Sequence, residues 1–245
     1  MNKSISKLAV LTTGLVSLSC FNVTANAQEG MGGGGMGAGM GGGMGAPAAA
    51  PLEMGFFITS VGLGNGADLG GLAGADAHCQ ELAEAVDKGD RTWRAYLSTQ
   101  ATDSEPAVNA IDRIGEGPWG NVEGIAIAAN MDALLYDNSN INYKTALTEK
   151  GETVGSRGMG DEVVKHDILT GTLLNGMAPP AGDDMTCANW TSSTEGAAIV
   201  GHSDRFRGAT AGSPWNNAHT TRGGCDQESL KSTGGDGLFY CFAAD

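Results

Sequence analysis

The sequence predicts an α+β domain, and three observations carry that prediction. Short apolar runs bounded by Gly, Asn and Asp recur along the chain as strands do. One stretch repeats its apolar residues at helical spacing, and long polar, Gly-rich connections separate the elements.

Residues 1–27 have the layout of a secretory signal: Lys3 and Lys7, an apolar run from Leu8 to about Leu18, and Ala25-Asn26-Ala27 as a small-x-small cleavage site. The run is about half of the roughly 20 residues needed to span a bilayer, and no later stretch approaches that length, so transmembrane insertion is not expected. Lipidation at Cys20 is the rival reading, disfavoured by the Ala-x-Ala site. Residues 28–52 form a linker, reading Gly-Met-Gly-Gly-Gly-Gly-Met from Gly30 and turning Ala/Pro-rich toward Pro51. Such a chain buries no core and acts as a flexible tether. Met31, Met36, Met40 and Met44 are soft donors that could take Cu(I), but nothing fixes their geometry, and the spacer reading is preferred.

Residues 53–245 are one domain's worth of chain. Residues 55–61 read as a first strand and 62–71 as a Gly/Asn/Asp-rich turn. Residues 76–86 read as a helix, with Ala77, Cys79, Leu82, Ala83 and Val86 inward, Glu81, Glu84 and Asp87 outward, and Gly89 as the stop. Residues 93–97 alternate as a strand, which puts Trp93 in the core. Residues 107–135 read as short helices and a strand, and 138–160 as a long polar surface excursion. Residues 168–174, the run starting at Cys187, and 237–242 read as further strands.

Beyond the signal stand four cysteines, Cys79, Cys187, Cys225 and Cys241. An even number in an oxidising compartment implies two disulfides, and three pairings are open. No Cys-x-x-Cys pair points to a metal. Removing Lys3 and Lys7 from the 14 basic residues leaves 12 against 28 acidic, a net charge of −16. That surface repels nucleic acid, heparin-like sugars and anionic headgroups.

Several strings then add up to a resemblance: Phe56-Phe-Ile-Thr-Ser, Leu69-Gly-Gly-Leu-Ala-Gly-Ala-Asp-Ala-His-Cys79-Gln, Trp93-Arg-Ala-Tyr-Leu-Ser98, Thr170-Gly-Thr, Cys187-Ala-Asn-Trp-Thr-Ser and Leu238-Phe-Tyr-Cys241. In this order they resemble the bacterial endostatin-like domains, often labelled lectins, and more distantly endostatin of type XVIII collagen. The resemblance implies a C-type-lectin-like fold of mixed antiparallel sheets with flanking helices and long loops. It also implies nested bridges, Cys79 to Cys241 and Cys187 to Cys225.

Neither family ligand carries over. Calcium-dependent members hold the ion with a Glu-Pro-Asn-like and a Trp-Asn-Asp-like triplet, for which Glu105-Pro-Ala-Val-Asn109 and Trp190-Thr-Ser do not substitute. Ca²⁺ therefore has no recognisable ligand motif, and no cofactor or metal is expected. Endostatin's zinc histidines at the domain start have no counterpart before His78, and its arginine cluster is not reproduced.

The candidate ligand residues lie between Gly201 and Cys225: Asp204, Arg205, Trp215, Asn216, Asn217 and His219. A Trp beside paired Asn is apt for sugar, the ring stacking and the amides bonding hydroxyls. The competing reading makes Trp215 a loop plug and the Asn pair turn-formers. Catalysis has no motif behind it, and His78, His166, His202 and His219 lack metal-ligand spacing. His166-Asp167 and His202-Ser-Asp204 could supply a base and its orienter, as chance strings also do. The expectation is a secreted, periplasmic or cell-surface bacterial binding module, non-enzymatic, with a glycan as ligand, an extracellular protein as the alternative, and an enzyme of unknown type on a C-type-lectin-like fold as the weaker one. The oligomeric state is not legible.

Overall fold

The structure is a computed structural model, and it describes residues 50–135, 138–205 and 214–245. The signal segment, nearly all of the tether, Cys20 and the linker methionines lie outside the described residues. Among the described residues no helix is long and apolar enough to cross a membrane.

The architecture is mixed α and β, compatible with the α+β class. The elements are β1 (Phe56–Ile58), α1 (Gly71–Glu84), β2 (Trp93–Ala95), a 3₁₀ turn (Ala110–Arg113), β3 (Trp119–Gly120), β4 (Ala126–Ala128) and α2 (Met131–Leu134). A 3₁₀ turn (Arg157–Met159), β5 (Asp167–Leu169), the single turn α3 (Cys187–Trp190), β6 (Ile199–His202), β7 (His219–Thr220), α4 (Gln227–Thr233) and β8 (Gly235–Ala243) follow. The main sheet runs β1-β8-β5-β6-β7, with β2 also on β8, while β3 and β4 form a separate pair. β5 lies parallel to β8 and the other pairings are antiparallel.

β8 organises the core because both of its faces are covered. Leu238, Tyr240 and Phe242 enter one cluster with Phe56, Ile58, Tyr96, Trp119 and Trp215. Phe239, Cys241 and Ala243 enter another with Phe57, Leu69, Leu82, Trp93 and Trp190. Alternate residues of a strand point to opposite faces, so a strand buried on both sides reads as a continuous apolar run. Each such fully buried large side chain contributes roughly 1.5–3 kcal/mol.

α1 begins five residues before the expected start and takes in Gly71 and Gly74. A Cβ on Gly74 would meet the Leu69 carbonyl at 2.0 Å, so glycine, a poor helix former, is what lets the first turn sit against the incoming chain. The bridges are Cys79–Cys241 and Cys187–Cys225, the nested pairing that the resemblance implies. They fit a protein that folds in an oxidising compartment.

Two expectations are corrected. The run from Cys187 is not a strand: Cys187, Ala188, Asn189 and Trp190 have φ between 47° and 67°, a left-handed turn. It is held by the Cys187 bridge, by Trp190 Nε1 donating to the Ser98 carbonyl at 2.8 Å, and by Asn189 bonding the Gln100 backbone at both ends of its amide. Residues 138–156 are not a surface excursion either. Ile141, Ala146, Leu147, Val154 and Ser156 are buried. Polar bonds make that possible, with Ile58 donating to the Leu147 carbonyl at 2.9 Å and Ser60 N to Glu149 Oε2 at 3.0 Å.

Candidate functional site

The polar centre of the molecule forms where β5, β6 and β7 lie side by side. Asp167 pairs with His202 in the β5–β6 register, and His219 pairs with Val200 in the β6–β7 register. Directly opposed residues project to the same face, and Val200 and His202 share a face two positions apart. Asp167, His202 and His219 therefore converge from three strands. His166, one residue before β5, stacks its ring on His202 with centroids 4.5 Å apart.

The groups touch closely. His202 Nε2 and His219 Nε2 are 3.0 Å apart. His166 Nδ1 is 2.9 Å from Asp204 Oδ2, and the Ser156 hydroxyl donates to the same oxygen. Asp204 sits below its ordinary pKa: burial pushes it up, but the hydrogen bonds from His166 and Ser156 and the charge of His166 and His202 outweigh that. His219 Nδ1 lies 3.1 Å from the Thr220 carbonyl.

Gly234 borders the cluster. A Cβ there would start 3.2 Å from Asp167 Oδ2 and 3.4 Å from His166 Nε2, and its φ of +128° suits glycine. Gly234 also lines a groove of about 360 Å³, together with Val163, Lys165, Lys231 and Ser232. Lys165 Nζ is 2.6 Å from Asp236 and Lys231 Nζ is 3.6 Å from Glu228, so both ammonium groups face a carboxylate.

Of the six ligand residues expected from the sequence, Asp204 and His219 reach this centre. Arg205 turns away, donating from Nε to the Ile141 carbonyl at 3.1 Å and from Nη2 to that of Ser139 at 2.9 Å, which ties down the 139–141 segment. Trp215 is a correction: it is 0 % exposed, so its faces cannot stack on a sugar. Its ring lies 4.7 Å from that of Tyr96, and its N–H donates to the Leu134 carbonyl at 3.1 Å. Asn216 is equally buried, its amide donating to Tyr96 Oη at 3.2 Å and to the Leu173 and Leu174 carbonyls at 3.3 Å. Asn217 donates to the Thr172 carbonyl at 2.8 Å. The plug half of the competing reading describes Trp215, but the asparagines are not turn-formers: both amides bond groups more than 40 positions away in the chain. Arg207 lies outside the described residues.

His166, Asp167 and His202 are the site residues that sequence spacing passed over. His166-Asp167 and His202-Ser-Asp204 were visible as strings, but only the β5–β6 pairing reveals that each histidine faces the other string's aspartate. Comparison with known proteins gives no match to any family model and none to any curated protein.

Proposed function

We propose that this chain is an extracytoplasmic, non-enzymatic binding module of C-type-lectin-like architecture, held on a tether, with a glycan as its ligand. The observation that carries the reading is the gathering of His166, His202, His219, Asp167 and Asp204 in two overlapping groups that share His202, bordered by Gly234, which also lines a groove. The hydrophobic core does not need these five side chains, and polar groups spent in excess of structural need mark a binding site. Imidazoles and carboxylates bond sugar hydroxyls well, and the net negative charge turns away polyanionic ligands. The site therefore moves from Trp215 and its asparagines to Asp204, His219 and their neighbours.

Protein adhesion is the second reading, favoured by one observation. Leu173, Leu174 and Met177 are 36 %, 43 % and 48 % exposed on one turn, as an apolar contact would be. A glycan array probed with the full chain and with Asp204→Ala separates the two. Hits that vanish in the variant support a lectin, whereas an array empty for the wild type sinks that reading and transfers the weight to a protein ligand.

A further inference from the structure

Asp167 has the environment of a group waiting for a cation. Its side chain is 1 % exposed, and neither carboxylate oxygen has a hydrogen-bond partner. Asp76, a carboxylate that arginines hold inside the domain, shows what the fold does when it satisfies one. Asp76 accepts from Arg94 at 2.8 Å, from Arg113 at 2.7 and 2.8 Å, and from the Ala95 amide at 2.9 Å. Among the described residues, the charged or ring groups that face the Asp167 carboxylate are imidazole nitrogens: His202 Nε2 at 3.1 Å and His166 Nε2 at 3.4 Å from Oδ1, and His219 Nε2 at 3.5 Å from Oδ2. By distance these would be ion pairs, yet none is aligned as a hydrogen bond, which is how ligands sit around a shared point. A buried carboxylate persists when it is paired, hydrogen-bonded or bound to a metal.

The geometry points to a divalent transition-metal site built from His202 Nε2, His219 Nε2 and the Asp167 carboxylate, with Zn²⁺ as the ion that fits. Zinc–ligand bonds of about 2.0–2.1 Å in a tetrahedron put neighbouring ligand atoms roughly 3.3 Å apart. The nearest approaches are 3.0 Å between the two nitrogens, 3.1 Å from His202 to Oδ1 and 3.5 Å from His219 to Oδ2, so the two histidines meet different oxygens of the one carboxylate, and all three residues offer ligand atoms within 4.8 Å of one another. His219 adds a second mark. Its Nδ1 lies 3.1 Å from the Thr220 carbonyl, and the neutral tautomer that donates there turns the Nε2 lone pair inward, the arrangement that supports metal-bound histidine. His166, its Nδ1 held by Asp204, stands beside the set with Nε2 3.4 Å from Asp167 Oδ1. Two nitrogens in the set disfavour Ca²⁺, which takes six to eight oxygens. Three protein ligands leave one tetrahedral position for water or a ligand atom. This inference stands on the three ligands alone and does not need the glycan reading.

The test is titration of the chelator-stripped full chain with Zn²⁺ alone, together with zinc X-ray absorption on the loaded protein. One ion per chain is expected, in a nitrogen/oxygen shell with imidazole scattering. Affinity falls by at least about 100-fold in His219→Ala and Asp167→Asn and stays unchanged in His78→Ala. A sulfur shell would put the ion on Cys20 or the linker methionines and overturn the site, as would His219→Ala titrating like the wild type. Thermal melting guards against a trivial folding defect. In chelator, Asp167→Asn melts no lower than the wild type, because it removes a buried charge, and Zn²⁺ then raises the melting temperature of the wild type only. An Asp167→Asn chain that melts far below the wild type in chelator would make Asp167 a structural acceptor and end the proposal. No sugar is present, so the outcome is independent of the array.

Discussion

The Trp215 indole lies among Tyr96, Tyr240 and Phe242, with ring centroids at 4.7, 5.3 and 6.3 Å. Tyr240 in turn donates its hydroxyl to the Trp215 carbonyl at 2.9 Å. Truncation removes both the apolar volume and the indole N–H bond, so Trp215→Ala should cost about 3–5 kcal/mol, read as a lower urea midpoint. A variant of wild-type stability would show that the indole is not in the core. The composition of the 213–219 segment did not reveal this burial, because Trp beside Asn suits a sugar platform and a polar-capped plug equally well. What separates them is the aromatic surface contributed by Tyr96 and Phe242, far away in the chain. The histidines show the same limit. His166, His202 and His219 are unremarkable by spacing, and their meeting depends on strand register, which local sequence does not carry.

At the scale of elements, local chemistry was legible where it dominates. β1, β2 and β8 were marked by apolar and aromatic runs, and α1 by its helical repeat. β7 and the short β6 were missed, since two to four residues give too little period to read. The left-handed α3 was read as a strand because its cause is a distant set of partners, Cys225, Ser98 and Gln100. α4 has a device that sequence rules do describe: Asp226 is its N-cap and accepts from the Ser229 amide at 3.0 Å and the Ser229 hydroxyl at 2.6 Å. Those two bonds, the hydroxyl first, hold the Asp226 carboxyl below its ordinary value. The folded state thus binds this proton less tightly than the unfolded chain does. The contribution is complete above the unfolded value of about 3.9 and disappears as pH falls through the lowered one. Asp226→Asn keeps the cap without the titration, so melting temperature followed below about pH 4 should fall less steeply in the variant. Parallel curves would remove Asp226 from the acid response.

For the whole molecule, the four cysteines beyond residue 27 of an acidic, Gly-rich chain announce a stapled domain, while the pairing comes through the resemblance to endostatin-like domains. Chain-entropy reasoning gives the Cys79–Cys241 bridge, of sequence separation 162, about 5 kcal/mol as an upper figure. The Cys187–Cys225 bridge, of separation 38, gives about 4 kcal/mol. Paired Cys→Ala replacement should therefore lower the urea midpoint in both cases, more for the outer bridge; the reverse order would mean that holding the left-handed turn matters more than closing the long loop. The outer bridge also decides how the domain bears load. Tension between the two ends of the domain enters through β1 and α1, crosses at Cys79 to Cys241 in β8, and leaves. Everything between those two cysteines, the histidine cluster included, lies outside that line of force. A pull on the domain's ends would leave the cluster unstretched until the sulfur–sulfur bond itself gave way, and a reducing agent would turn the same molecule into one that unravels end to end.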